Sequence, residues 1–123
     1  MVTVLSPDML QMGRELLERL DKAQLPVDAA LWLFSNDSNR WRLVFASSSV
    51  PLIGPKQFYR VIQTNLLRFP HRDISISDVV VLDASAPLIQ LLKTAIKSGS
   101  DIRFTHNFIN NVLIEDAYIY RLV

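Results

Sequence analysis

The chain reads as an α+β protein: a single domain with a mixed five-stranded sheet and three helices, in the order αββαβαββ. Three observations predict this. The length of 123 residues suits one domain. Half the residues are apolar and a fifth are charged, enough to bury a core and too apolar for disorder. Stretches of helical period then alternate with period-2 or continuous apolar runs, punctuated by Pro, Gly and Asn. No internal repeat, low-complexity tract or domain linker interrupts residues 1–123.

The first helix is predicted over Ser6–Ala23. Ser6 suits the N-cap, Pro7 the first turn, and Asp8 the positive end of the helix dipole. Leu10, Leu16, Leu17 and Leu20 form its apolar stripe. Glu15 with Arg19, and Glu18 with Lys22, are spaced to support it. Gly13 weakens its interior by up to ~1 kcal/mol, which points to close packing against another element.

Two strands follow, Val27–Ser35 and Arg40–Ser47, joined by the polar loop 36–39 as an antiparallel hairpin. The first is apolar on both faces and therefore central. The second sets Trp41, Leu43 and Phe45 on one face and Arg40 and Arg42 on the other. Residues 47–54, "SSSVPLIG", read as a connector. Pro55 starts a helix to about Phe69 that buries Phe58, Val61, Ile62 and Leu66 and turns Lys56, Arg60, Gln63, Thr64 and Arg68 outward.

Ser77–Asp83 reads as a buried strand. A helix follows with Ser85 as cap and Gly99 just past its end. Asp101–Phe108 is the next strand, and this strand–helix–strand order suggests a right-handed parallel crossover. Val112–Val123 is the last and longest strand.

Asn110-Asn111 suits a two-residue hairpin turn, since Asn tolerates the left-handed conformation. That register sets Phe108 opposite Leu113, His106 opposite Glu115, and Ile102 opposite Ile119. Ile102, Phe104, His106, Phe108, Leu113, Glu115, Ala117, Ile119 and Arg121 then share one face. A carboxylate beside an imidazole fixes its tautomer and stabilises its charge, as general acid–base work requires. A slip of one residue, or a turn at "IED", separates the pair.

Charge is unevenly distributed. Between Ser38 and Arg72 there is no Asp or Glu, while Arg40, Arg42, Lys56, Arg60, Arg68 and Arg72 give +6. The rest has seven Lys or Arg against twelve Asp or Glu, leaving −5 and a net +1. Sign separation of this kind suggests a polarised surface.

Most specific chemistry is missing. There is no Cys and only two His, with no metal-binding spacing, so neither a zinc nor a calcium site is expected. Three glycines cannot build a phosphate loop or dinucleotide fingerprint, and no cofactor is expected. Ser47, Ser48 and Ser49 read as a polar loop, having no histidine beside them in sequence. The longest apolar runs fall far short of the ~18 residues that span a bilayer. With no signal-like N-terminus, the protein is expected in the cytoplasm without membrane association.

Three readings remain. The first is a non-enzymatic module binding nucleic acid or another anionic ligand through Arg40, Arg42, Lys56, Tyr59, Arg60 and Arg68, with the basic residues on one surface. The helix start at Gly54–Pro55 adds amides that favour an anion. The second is a homodimeric adaptor pairing through the C-terminal strand and its Tyr118–Tyr120 face. The third is a hydrolase or nuclease. It would use His106 with Glu115, or carboxylates Asp28, Asp83, Glu115 and Asp116 gathered at one end of the sheet. Asp83 lies where a strand gives way to a helix, a favoured place for sites.

Overall fold

The computed structural model describes residues 4–35, 37–69, 74–96 and 101–123, without the side chains of His106 and Asn107. Helix α1 spans Pro7–Lys22, and the Ser6 hydroxyl caps it by accepting from the Met9 amide at 3.1 Å. Strands β1 (Ala29–Ser35) and β2 (Arg40–Ser47) form the expected hairpin, from Ser35↔Arg40 to Ala29↔Ala46. The connector holds a four-residue helix α2 (Val50–Ile53), and α3 follows at Pro55–Leu66. A 3₁₀ turn (Ile76–Asp78) leads into β3 (Val79–Asp83). Helix α4 (Pro87–Ala95), β4 (Ile102–Ile109) and β5 (Val112–Leu122) complete the chain. Among the described residues no helix is long and apolar enough to cross a membrane.

Among the described residues the sheet is mixed and five-stranded, as expected, in the order β3-β2-β1-β5-β4. Its parallel pair is β2 with β3, reached through α2 and α3. This corrects the expected crossover through α4. That helix carries the chain from one edge of the sheet to the other, and β4 runs antiparallel to β3. Ser85 is not the cap of α4. Ala86 holds that place, ahead of Pro87, and the helix ends at Ala95. The expected stop at Gly99 lies outside the described residues.

Alternation along the strands feeds two cores. Ala30, Trp32, Trp41, Leu43, Phe45 and Tyr120 face α1 and α3, meeting Leu16, Leu20, Phe58 and Ile62. Ala29, Leu31, Val44, Ala46, Ala117 and Ile119 face α4, meeting Ile89 and Leu92. Each large aliphatic sealed this way contributes ~1.5–3 kcal/mol before entropy is counted.

Gly13 is explained by Tyr120. A Cβ on Gly13 would lie 2.4 Å from the Tyr120 hydroxyl and 2.9 Å from Trp32 Nε1. That hydroxyl accepts from Trp32 Nε1 at 2.8 Å and donates to the Leu10 carbonyl at 2.7 Å. Two strands and a helix are thus tied at one point. Burial pushes the Tyr120 phenol well above its usual range.

The β4–β5 hairpin has the expected register, including Phe108↔Leu113 and Ile102↔Ile119. Asn110 (φ 50°) and Asn111 (φ 68°) both have positive φ, as a type I′ turn demands. The shared face departs from expectation at both ends. At the C-terminal end a bulge sets Tyr120 and Arg121 against Ala30, between Ala30↔Arg121 and Leu31↔Ile119. The extra residue reverses the alternation. Arg121 therefore leaves the Ile119 face and bonds Asp21 at the end of α1. At the turn end, Ile109 and Ile114 are buried while Phe108 is 72% exposed.

Candidate binding surface

Helix α3 exists because Phe58, Ile62 and Leu66 recur at helical spacing and bury against β2 and α1. That seating fixes what its opposite side shows. Lys56 and Arg60 sit one turn apart, Gln63 and Thr64 continue the face, and Arg68 follows in the exposed turn. No described acid pairs with Lys56, Arg60 or Arg68, and α3 contains no acid.

The other expected binding residues are elsewhere. Arg40 and Arg42 alternate with Trp41 and Leu43, which face α3, so they leave the sheet on its opposite side. The expected single surface of Arg40, Arg42, Lys56 and Arg60 is therefore corrected: the sheet divides them. Both arginines are drawn to the 3₁₀ turn. Arg40 pairs with Asp78, and Arg42 donates to the Ser77 carbonyl at 3.4 Å. Asp78 also accepts from the Ser75 amide at 3.0 Å. This acid lies just beyond the acid-free segment, so charge counting by stretches missed it. The Ser75–Asp78 capping box was the available signal.

Tyr59 is engaged in the fold. Its hydroxyl accepts from the Val81 amide at 2.9 Å, covering part of the β3 edge. A buried or edge N–H needs such a partner, and the Tyr59 ring is half-buried against the core beside it. Gly54 has φ 82° with open space around its Cα, and the described residues show nothing further at the α3 N-terminus.

The carboxylates do not gather. Asp28 and Asp83 lie at one end of the sheet, since Ala29 pairs Ala46 and Ser47 pairs Asp83. Each holds the local chain. Asp28 accepts from the Ser48 amide at 2.7 Å, and Asp83 from the Ser85 amide at 3.1 Å. Glu115 and Asp116 lie beyond Ala117, toward the other end. Asp116 takes a bidentate pair from Arg103, at 2.6 and 2.7 Å. The Arg103 guanidinium also lies 5.7 Å from the Trp41 ring. Among the described residues, no group of three or more His, Asp or Glu could hold a metal ion. This corrects the clustered-carboxylate arrangement.

His106 lies on β4, but its side chain is outside the described set, so its expected pairing with Glu115 is as well. Glu115 borders a cleft of about 360 Å³ floored by Leu33, Phe34, Leu88 and Leu113, with Asp37 as the other charged lining residue.

The tyrosine face is not a dimerisation edge. Strand β5 is hydrogen-bonded on both sides, to β1 and to β4, so the proposed pairing through the C-terminal strand is ruled out by topology. Tyr120 is buried under α1, with the Arg14 guanidinium 5.3 Å from its ring. Tyr118 donates to Asp101 at 3.0 Å, and Arg14 bonds the same carboxylate at 2.7 Å. The Arg14 bond, with a smaller contribution from Tyr118, holds the Asp101 carboxyl below its usual range.

No protein-family model matches the chain, and no curated protein or solved structure shows significant similarity to it.

Proposed function

We propose that the protein is a non-enzymatic module that binds the phosphate backbone of a nucleic acid on the outer face of α3. The observation that carries this reading is an electrostatic contrast between two helices of one molecule. Helix α1 follows the helix dipole, with Asp8 in its first turn and Arg19 and Lys22 in its last. Helix α3 opposes it. Lys56 stands in its first turn, where a cation is disfavoured by ~0.3–1 kcal/mol. Arg60 follows four residues on, a like-charge spacing that costs a further ~0.2–0.5 kcal/mol. Neither charge is relieved by a described acid. Packing gives no reason for this arrangement, because all of these charges point to solvent. A bound polyanion removes both penalties at once.

The ligand-binding set is Lys56, Arg60 and Arg68, with Thr64 as a hydroxyl donor. Arg40 and Arg42 are not in it, and Tyr59 serves the fold.

The test is binding of fluorescent single- and double-stranded DNA and RNA oligomers across a salt series. Three phosphate contacts predict a slope near −2.7 on duplex DNA, an affinity loss of about 40-fold between 50 and 200 mM salt. Combining Lys56→Ala, Arg60→Ala and Arg68→Ala flattens that slope, while Arg40→Ala leaves it nearly unchanged. Absence of binding at 50 mM salt, or an unaltered slope in the triple variant, refutes the proposal.

A further inference from the structure

We infer that β4 is a self-pairing edge, through which two copies of the chain join antiparallel strands across a two-fold axis into one continuous ten-stranded sheet. A five-stranded sheet has two edges, and here they are treated differently. Strand β3 is five residues long, and the Tyr59 hydroxyl occupies its Val81 amide. Short length and a covered amide are how proteins block edge pairing. Strand β4 is eight residues long and has one formal charge, Arg103, which is engaged within the chain by Asp116.

The turn fixes which groups of β4 point outward. A two-residue type I′ turn makes Ile109↔Val112 a hydrogen-bonded pair, and hydrogen-bonded and open pairs then alternate. Thr105 and Arg103 therefore bond inward to β5. Phe104 and Phe108 direct their N–H and C=O away from the sheet. No described group bonds to those outward atoms.

A second copy fits this edge on its own chemistry. A two-fold axis perpendicular to the sheet runs the strands antiparallel and keeps each face on its own side, so α4 lies beside α4. Residues that meet must then share a face and both point outward. Centring the axis on position 106 satisfies this and sets Phe104 of each copy opposite Phe108 of the other. Cross-strand aromatic pairs are among the favourable ones. Phe108, 72% exposed in the single chain, thereby acquires a neighbour. Arg103 does not meet its own copy in this register. Because β3 is blocked, assembly stops at two chains and does not continue as a fibre.

The experiment is sedimentation equilibrium of the full chain from about 1 to about 500 µM, the range a single-strand interface at the small end of the size scale requires. The wild-type chain is expected to reach twice its 14.0 kDa. Phe108→Pro removes an outward amide without breaking a bond to β5, and Phe108→Lys replaces the aromatic pair with charge; both stay at 14.0 kDa. Val112→Lys alters the same exposed tip on the inner strand and leaves the dimer intact. Amide exchange in the wild-type chain keeps the test decisive if a variant unfolds. The Phe104 and Phe108 amides slow as concentration rises, while Thr105 is protected throughout. A wild-type monomer across the whole range, an open-ended polymer, a Phe108→Pro dimer, or equal dissociation by Val112→Lys overturns the inference.

Discussion

Gly13→Ala puts two local rules in direct opposition. On helix propensity alone, replacing an interior glycine by alanine stabilises α1 by ~1 kcal/mol. The structure predicts the reverse. The new methyl would lie 2.4 Å from the Tyr120 hydroxyl and 2.9 Å from Trp32 Nε1. Neither ring can step aside, since Trp32 is 1% exposed and Tyr120 4%. Either α1 lifts off the sheet or the hydroxyl swings away. Overpacking of this kind costs ~1–3 kcal/mol. Losing the bond to Trp32 leaves a buried N–H unpaired, at ~1–3 kcal/mol more. Set against the propensity gain, the net expectation is a destabilisation of about 1–5 kcal/mol. Urea unfolding followed by tryptophan fluorescence reads this as a lower midpoint with an unchanged slope. Tyr120→Phe removes the atom in closest conflict, so adding Gly13→Ala to that background costs at least ~1 kcal/mol less than in the wild type. A Gly13→Ala chain as stable as the wild type, or costs that simply add, would show that α1 does not rest on Tyr120 through this glycine.

Two titrations probe the same packing. The Tyr120 phenol is raised by burial, so its protonated form stabilises the fold, and that stability is complete below the ordinary phenol pKa of 10.0 and lost as pH rises toward the folded value. Between pH 9 and pH 11 the wild-type chain should lose about 1.4 kcal/mol more than Tyr120→Phe, measured by urea midpoints; equal losses would contradict the buried hydroxyl. The Asp21 carboxyl is held below its ordinary 3.8 by its bond from Arg121, so its contribution is present above that pH and fades as pH falls through the folded pKa. Arg121→Ala should return the Asp21 carboxyl resonance to ordinary titration, with a stability loss within ~1 kcal/mol because the pair is substantially exposed. An unmoved titration would mean that the bulge does not deliver Arg121 to α1.

What residues 1–123 determined by themselves is local. Apolar spacing is set within a few residues, so the β1–β2 hairpin, the central character of β1 and most of the α1 and α3 stripes were legible; Leu10 and Val61 are only half-buried, and Met9 and Met12 complete the α1 stripe unexpected. So was the β4–β5 register, because two asparagines in the left-handed region leave one way to close the turn. The basic face of α3 was legible for the same reason: its buried stripe dictates which side faces out. The long-range arrangement was decided only by tertiary packing. Strand order depends on which apolar faces meet, and nothing in the β5 sequence says that both of its sides are paired. Arg40 and Arg42 look like neighbours of Lys56 in the chain. Strand alternation sends them through the other face, to an acid thirty-eight residues from Arg40. The bulge at Tyr120 shifts the alternation by one residue, which moves Arg121 across the sheet. Period-2 patterns carry no mark of such a shift until a facing strand supplies the count.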